Sequence, residues 1–209
     1  RHTGIGCDQL IVIERPRGTG ADAFMRIHNA DGGEVEACGN AVRCVGAVLM
    51  DERGTSASVI ETLAGPVHVS VGPGGAAGGI TADMGEARLD WRDIPLAHDM
   101  DTLALPIEDG PLSRPVAVGM GNPHAVFFVH DVERVPLAEI GPRLEHHPFY
   151  PKRANIEVVE VVSPTRLRVR VWERGAGITL ACGTGACAAL VAAHRRNFVG
   201  RKGEVELDG

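Results

Sequence analysis

Alternating apolar and polar residues predict a chain dominated by β-strands. Val67–Val71 and Arg166–Trp172 alternate at every step, which is the pattern of a strand with one buried face. Further apolar or mixed runs of strand length occur at Leu10–Ile13, Ala23–His28, His124–Val129 and Ile156–Val162. The short, separate runs favour an architecture built mainly on sheets.

Three other segments predict helices. Pro136–His147 has the pattern of a surface helix, which Pro142 can break. Asn40–Met50 and Gly183–Ala193 are apolar around nearly their whole circumference, so each is expected to be enclosed by other elements. A sheet wrapped around each of these two helices would enclose it, which predicts an α+β fold.

The chain is predicted to form two domains. The glycine-rich stretch 72–79 is typical of a loop, and we place the domain boundary after Ala82. The halves are then 1–82 and 83–209. Because the sequence opens in a loop-like segment and stops soon after a strand-like one, each half is expected to lack part of its structure.

The two halves share a short motif. The tripeptide Ala-Cys-Gly occurs at Cys38 and again at Cys182, each time followed by a small polar residue and an apolar helix. An internal echo of this kind hints at a duplicated domain.

Composition indicates a globular protein and argues against several partners. Of the 209 residues, 44% are hydrophobic and 4% aromatic, and the formal net charge is −6. A negative charge and scarce aromatic side chains argue against nucleic-acid binding. No apolar run has the length needed to span a bilayer, so a membrane is not expected as a partner either.

The five cysteines indicate a reducing compartment. Their number is odd and no leader-like segment opens the chain, so a cytoplasmic location is expected. Neither Cys38/Cys44 nor Cys182/Cys187 has the spacing of a shared helix face, and no metal site is expected. We interpret Cys7, Cys44 and Cys187 as structural.

Cys38 and Cys182 are the candidate catalytic residues because each opens a predicted helix. The helix dipole and unpaired backbone N–H groups there favour a thiolate, and the N–H groups of Gly39-Asn40 and Gly183-Thr184 can bind a carboxylate. If the two helix starts face each other across a cleft, one thiolate can remove an α-proton and the opposite thiol can return one to the other face. The predicted reaction is inversion at the α-carbon. The alternative is two ordinary buried cysteines.

Other polar residues flank these cysteines in loops or at strand ends. Asn29 and Asn122 lie in turn sequences, where turn chemistry alone accounts for them. Glu173 and Arg174 end a predicted strand and form a solvated pair in the simplest interpretation. His124 taken alone is equally compatible with a structural histidine.

Several segments together resemble the diaminopimelate epimerase family, in the family's order and over nearly the whole chain. Two of them carry the candidate cysteines and are specific in combination. The segments are Gly4–Gln9, Asn29–Cys44, Glu61–Pro66, Gly121–His124 and Glu173–Cys187. Nothing in this chain matches the family's N-terminal Gly-Asn-Asp-Phe segment.

The resemblance implies two pseudo-symmetric domains, each a curled, mostly antiparallel sheet wrapped around a central helix. It implies interconversion of LL- and meso-diaminopimelate, for lysine and peptidoglycan precursors, with no cofactor and with a homodimer when the protein is full-length. Cys38 and Cys182 would be the acid/base pair, with His124 and Glu173 tuning their pKa values. The substrate would be held by Gln9, Asn29, Gly39, Asn40, Asn122, Asn155, Glu173, Arg174, Gly183 and Thr184.

Three other interpretations stay open. Proline racemase and hydroxyproline epimerase share the fold and the helix-start cysteines, but substrates with one carboxylate would not need Arg174. A pyridoxal-phosphate racemase needs a Schiff-base lysine, and neither Lys152 nor Lys202 lies in a recognisable cofactor motif. A non-enzymatic metal or redox module would bind zinc or form a disulfide between Cys38 and Cys182.

Overall fold

The chain forms two compact units in a computed structural model. The structure describes residues 6–7, 9–36, 38–73 and 79–209, so most of the predicted glycine-rich loop lies outside the described residues. The N-terminal unit runs to Gly85 and the C-terminal unit spans Glu86–Gly209. The predicted boundary after Ala82 falls inside a strand of the N-terminal unit, and the predicted domains stay a prediction.

In its described residues, the N-terminal unit is a six-stranded sheet with one helix. In the sheet the strands follow the order β1-β2-β4-β5-β6, with β3 paired to β2. All pairs are antiparallel except β2 with β4. The elements are β1 (Gln9–Glu14), β2 (Ala23–Asn29), β3 (Glu34–Val35), α1 (Gly39–Arg53), β4 (Ala57–Thr62), β5 (Gly65–Val71) and β6 (Ile80–Asp83).

Helix α1 packs one face against this sheet. Its buried residues, among them Val42 and Leu49, join the apolar residues of the strands in one core. The helix lies so close to β5 that a Cβ on Gly46 would stand 2.5 Å from Val69. Its other face exposes Cys44 and Val48, so the predicted enclosure on all sides is wrong for this helix.

The C-terminal unit holds a second six-stranded sheet, a small hairpin and two helices. The sheet order is β13-β12-β11-β10-β9, β14 pairs with β12, and β7 pairs only with β8. Two pairs are parallel, β10 with β11 and β12 with β14. The elements are β7 (Glu108–Asp109), β8 (Leu112–Ser113), β9 (Val116–Gly119), β10 (Pro123–Val129), α2 (Leu137–Glu145), β11 (Asn155–Ser163), β12 (Arg166–Glu173), β13 (Gly177–Thr179), α3 (Gly183–Arg195) and β14 (Glu204–Glu206).

The two helices of this unit are packed differently. From Gly183 to Ala193 every residue of α3 is buried or half-buried, as the sequence predicts, because its alanines let the helix lie close to the sheet. Helix α2 continues through Pro142 and ends at Glu145. The break that Pro142 could have caused does not occur.

The two units repeat one connectivity, which we call the cysteine motif. In β1-β2-β3-α1-β4 and in β11-β12-β13-α3-β14, the second strand pairs antiparallel with the first and third and parallel with the strand after the helix. The α+β prediction of mostly antiparallel sheets with central helices is confirmed. In the part of the chain that the structure describes, no helix has the length and apolarity to cross a membrane.

Candidate functional site

Both candidate cysteines cap the start of the helix in their cysteine motif. Cys38 has φ −144° and ψ 108° before α1, and Cys182 has φ −134° and ψ 111° before α3. Each carbonyl accepts the first hydrogen bond of its helix, from Val42 at 3.0 Å and from Ala186 at 2.9 Å. The predicted placement of both cysteines at helix starts is therefore confirmed, with nearly the same backbone geometry.

Strand pairing brings polar residues to equivalent ends of the two motifs. Gln9 begins β1 and Asn29 ends β2; they are register partners, and Gln9 Nε2 donates to Asn29 Oδ1 at 3.0 Å. In the other motif Asn155 begins β11 and Glu173 ends β12. Asn29 and Glu173 each precede the helix-start cysteine of their motif by nine positions, so both motifs present a polar strand end before the cysteine.

The Cys182 thiol is enclosed by the start of its own helix. It is only 6% exposed. The Gly185 N–H donates to its sulfur at 3.4 Å, and Thr184 Oγ1 lies 3.5 Å from the sulfur. The charge of Glu173 raises the pKa of this thiol, and Glu173 accepts a short hydrogen bond from Thr179. The cluster therefore joins a thiol, a hydroxyl and a carboxyl group.

A buried chain of hydrogen bonds leads from Thr184 to a carboxyl group that the sequence analysis did not select. Asn122 Nδ2 donates to Thr184 Oγ1 at 3.4 Å, and Asn122 Oδ1 lies 2.8 Å from His124 Nε2. On the other side of the ring, His124 Nδ1 lies 2.7 Å from Glu157 Oε1. His124 and Glu157 are both fully buried, so the imidazole has no contact with solvent.

Asn155 and Arg174 are joined through the backbone. The Arg174 N–H donates to Asn155 Oδ1 at 2.9 Å, and Asn155 Nδ2 donates to the carbonyl of Pro123 at 3.1 Å. The buried Glu145 accepts from the Gly175 N–H at 3.0 Å. These contacts fix the turn after β12 that carries Arg174.

Burial dominates the electrostatics around Cys182. It raises the pKa of this thiol well above its ordinary value, and the charges of Glu173 and Glu157 raise it further. Burial also raises the pKa of each of these two carboxyl groups. Burial and these charges therefore oppose the thiolate that the helix start is predicted to favour at Cys182.

The remaining predicted residues are distributed over both motifs. Gly39 is buried and Asn40 half-buried in the first turn of α1, and Gly183 is half-buried at the start of α3. The structure thus joins three predicted residues, Thr184, Asn122 and His124, in one chain of contacts with Cys182, and the charge of Glu173 acts on the same thiol.

The other three cysteines, which the sequence analysis interprets as structural, differ in their exposure. Cys7 and Cys44 are exposed, so neither is a core residue, whereas Cys187 is half-buried in α3. Among residues 6–7, 9–36, 38–73 and 79–209, no group of three or more His, Cys, Asp or Glu side chains is arranged to hold a metal ion.

Comparison with known proteins identifies the family. The family model for diaminopimelate epimerase matches residues 1–89 and 116–209. The diaminopimelate epimerase of Rhodospirillum centenum is 56% identical over 209 residues, covering 100% of this chain and 71% of the relative. That of Acidiphilium cryptum is 53% identical over 210 residues, covering 100% of this chain and 74% of the relative.

Solved structures show the same fold at low identity. A hydroxyproline epimerase from Agrobacterium vitis, with bound trans-4-hydroxy-L-proline, matches with a TM-score of 0.67 and 18% identity over 92% of this chain and 61% of its own. A probable proline racemase from Agrobacterium radiobacter K84 matches with a TM-score of 0.67 and 15% identity, over 92% of this chain and 62% of its own. This chain thus spans about three fifths of each of these structures. The sequence matches, which are far stronger, show that the chain belongs to the diaminopimelate epimerase family.

Proposed function

We propose that this chain interconverts LL- and meso-diaminopimelate without a cofactor, using Cys38 and Cys182 as the two proton-transfer groups. The observation that carries the proposal is the repeated cysteine motif in a chain of this family. Each motif supplies a thiol at a helix start and a polar residue at a strand end nine positions earlier. The proposed reaction would contribute to the biosynthesis of lysine and peptidoglycan precursors.

Inversion needs two groups that carry out opposite proton transfers. One sulfur takes the α-proton as a thiolate, and the other gives its proton to the opposite face of the carbanion, so that each round leaves the two thiols with exchanged protonation. Burial and nearby carboxyl groups raise the pKa of the Cys182 thiol, which favours its protonated form. This supports Cys182 as the first proton donor and leaves Cys38 as the first base.

Substrate binding changes the charges around Cys182. An α-ammonium group placed beside Glu173 would stabilise the carboxylate form of Glu173, whose pKa burial raises. The same positive charge lowers the cost of a thiolate at Cys182. The ammonium group would thus offset the Glu173 charge that raises the pKa of the thiol, so that the reverse reaction can begin from Cys182.

The two carboxylates of the substrate need separate partners. The backbone N–H groups of Gly39-Asn40 and Gly183-Thr184 suit the reacting carboxylate, because they lie in the first turns of α1 and α3. Arg174 suits the distal carboxylate, since its guanidinium group can form charge-assisted hydrogen bonds. The amide side chains of Gln9, Asn29, Asn122 and Asn155 add polar contacts with no net charge.

The test is incorporation of solvent deuterium at the α-carbon, starting from each stereoisomer under reducing conditions. The wild-type chain should exchange and epimerise both isomers. Cys38→Ser and Cys182→Ser should each lose about 10²–10⁴-fold in epimerisation, the usual contribution of a general acid or base. Cys44→Ser is the matched control, because Cys44 is exposed on α1. An inactive wild-type chain, or two fully active variants, would refute the proposal.

A second candidate is the racemisation of proline or hydroxyproline. It is favoured by the fold shared with the hydroxyproline epimerase of known structure, at a TM-score of 0.67. The 56% identity to a diaminopimelate epimerase favours the main proposal. Both enantiomers of proline should therefore be inert in the same exchange assay, and turnover of either one would support the second candidate.

We also propose a cytoplasmic location and, for the full-length protein, a homodimer. The odd number of cysteines supports a reducing compartment, and the family resemblance supports the dimer. Light scattering after size exclusion measures the mass of the particle in solution. A monomer of the full-length protein at micromolar concentration would refute the dimer.

A further inference from the structure

Glu157 is a buried acid that the proposed reaction does not use. It lies in β11 with neither side-chain oxygen reaching solvent, and Oε1 lies 2.7 Å from His124 Nδ1. Its other oxygen, Oε2, has no hydrogen-bond partner among the described residues. A buried carboxyl group is costly, and an unpartnered oxygen adds to the cost.

The fold itself does not require an acid at this position. Glu157 is the third residue of β11, and the third residue of β1 in the other cysteine motif is Ile11. An apolar residue can therefore occupy the equivalent position of the cysteine motif. Replacing a buried charged pair by apolar residues is often neutral or stabilising, so the reason for Glu157 lies in what it contacts.

The hydrogen bonds around His124 fix the orientation of its ring and place a hydrogen on Nε2. Asn122 donates through Nδ2 to Thr184, so its Oδ1 is left to accept a hydrogen from His124 Nε2. The other ring nitrogen, Nδ1, then faces Glu157, and one proton lies between Nδ1 and Oε1. A carboxyl partner of this kind fixes the tautomer and orientation of a histidine.

We propose that Glu157 is a positioning residue, which holds the His124 ring so that its Nε2 hydrogen stays directed at Asn122. Asn122 in turn orients the Thr184 hydroxyl, which lies 3.5 Å from the Cys182 sulfur. His124 is thereby kept as a hydrogen-bond donor and does not act as a base. This inference rests on the proposed function, since it assigns Cys182 a role in proton transfer.

Two replacements of Glu157 by residues of similar size distinguish a positioning role of this side chain from a packing role. Glu157→Gln keeps a donor for His124 Nδ1 through its amide and should retain most of the activity. Glu157→Met removes the partner but leaves the volume filled, so the protein should be as stable as the wild type or more so. Loss of the carboxylate partner of a metal-binding histidine typically costs about 10–100-fold, and we expect a fall in kcat of that order for Glu157→Met, with KM little changed.

Glu160→Met is the matched control. Glu160 lies on the same strand, is only half-buried, and accepts a hydrogen bond from the Val132 N–H outside the cysteine cluster. Its variant should keep the wild-type kcat. In a His124→Asn background, Glu157→Met should add little further loss, because the two residues act in one chain. Wild-type kcat in Glu157→Met, or additive losses, would overturn the inference.

A spectroscopic measurement tests, independently of enzyme activity, which nitrogen of the His124 ring carries the hydrogen. The nitrogen-15 spectrum of ring-labelled histidine, assigned with His124→Asn, should show a hydrogen on Nε2 of His124 in the wild type and in Glu157→Gln. A ring protonated on Nδ1 alone would overturn the inference, even if Glu157→Met fails to fold. A wild-type chain without epimerase activity would refute the proposed function, while the spectrum would still test the ring.

Discussion

The start of α3 is packed so tightly that one added methyl group should disturb the thiol. A Cβ on Gly185 would lie 2.9 Å from Glu157 Oε1 and 3.2 Å from the Cys182 sulfur. The first distance is too short for a carbon–oxygen contact. Because His124 and complete burial hold the Glu157 carboxyl group in place, the carboxyl group and the sulfur must both shift by several tenths of an ångström.

Two opposing effects set the stability of Gly185→Ala. Alanine is favoured over glycine in a helix by about 1 kcal/mol, and overpacking of a closed site costs about 1–3 kcal/mol. The free energy of unfolding should therefore fall by at most about 2 kcal/mol, which corresponds to a few degrees in Tm. A misplacement of 1 Å can cost about 10²-fold in rate, so a smaller shift should lower kcat by about 10-fold.

The assay combines thermal unfolding with the α-deuterium exchange rate of each stereoisomer. Gly200→Ala is the control, because a Cβ there would have nothing within 4 Å, and it should leave both quantities unchanged. If Gly185→Ala unfolds and exchanges like the wild type, the close packing of Glu157 against α3 is refuted. If only the stability falls, the link from this packing to the thiol is refuted.

Two further predictions concern stability alone. Asp22 accepts hydrogen bonds from the Ser58 hydroxyl and the Val59 N–H, and these hold the pKa of its carboxyl group below the ordinary value. The ionised Asp22 carboxylate should stabilise the fold fully above about pH 4, the pKa of an aspartate in the unfolded chain, and this stabilisation should be lost as the pH falls through the lower pKa of the folded state. The difference in Tm between the wild type and Asp22→Asn should shrink accordingly. A difference that stays constant with pH would contradict this. A Cβ on Gly141, inside α2, would lie 2.5 Å from the Trp172 ring. Overpacking of about 1–3 kcal/mol, less the gain of about 1 kcal/mol from alanine in a helix, predicts that Gly141→Ala destabilises the chain by up to about 2 kcal/mol and changes the tryptophan fluorescence; unchanged fluorescence together with an unchanged chemical denaturation curve would contradict this.

The elements that the sequence predicted are those with a clear period or a long apolar run. The alternation in β5 and β12 and the apolar helices α1 and α3 required no tertiary information, and the structure contains all four. Strands β4 and β9 are among those that the sequence pattern did not predict. Strand β4 pairs with β2 on the far side of helix α1, which a local pattern does not record, and β9 has only four residues.

The candidate site was predictable to a different extent. The two Ala-Cys-Gly sequences located both helix-start cysteines. The sequence did not single out Glu157, although an acid inside the apolar run from Ile156 to Val159 was the available signal. The raised pKa of Cys182 could not be foreseen either, because it depends on burial and on carboxyl groups that only the folded strands bring to it.

The two copies of the cysteine motif share their backbone connectivity but differ in the side chains near the thiol. Equivalent positions of the two copies carry different side chains: Asn29 stands against Glu173 at a strand end and Ile11 against Glu157 inside a strand, whereas Gln9 and Asn155 are both neutral amides. The connectivity and the helix-start thiol are common to both. One scaffold can therefore surround its thiol with neutral side chains in one copy and with carboxyl groups in the other, so the acid–base character of a copy can change while its connectivity stays the same.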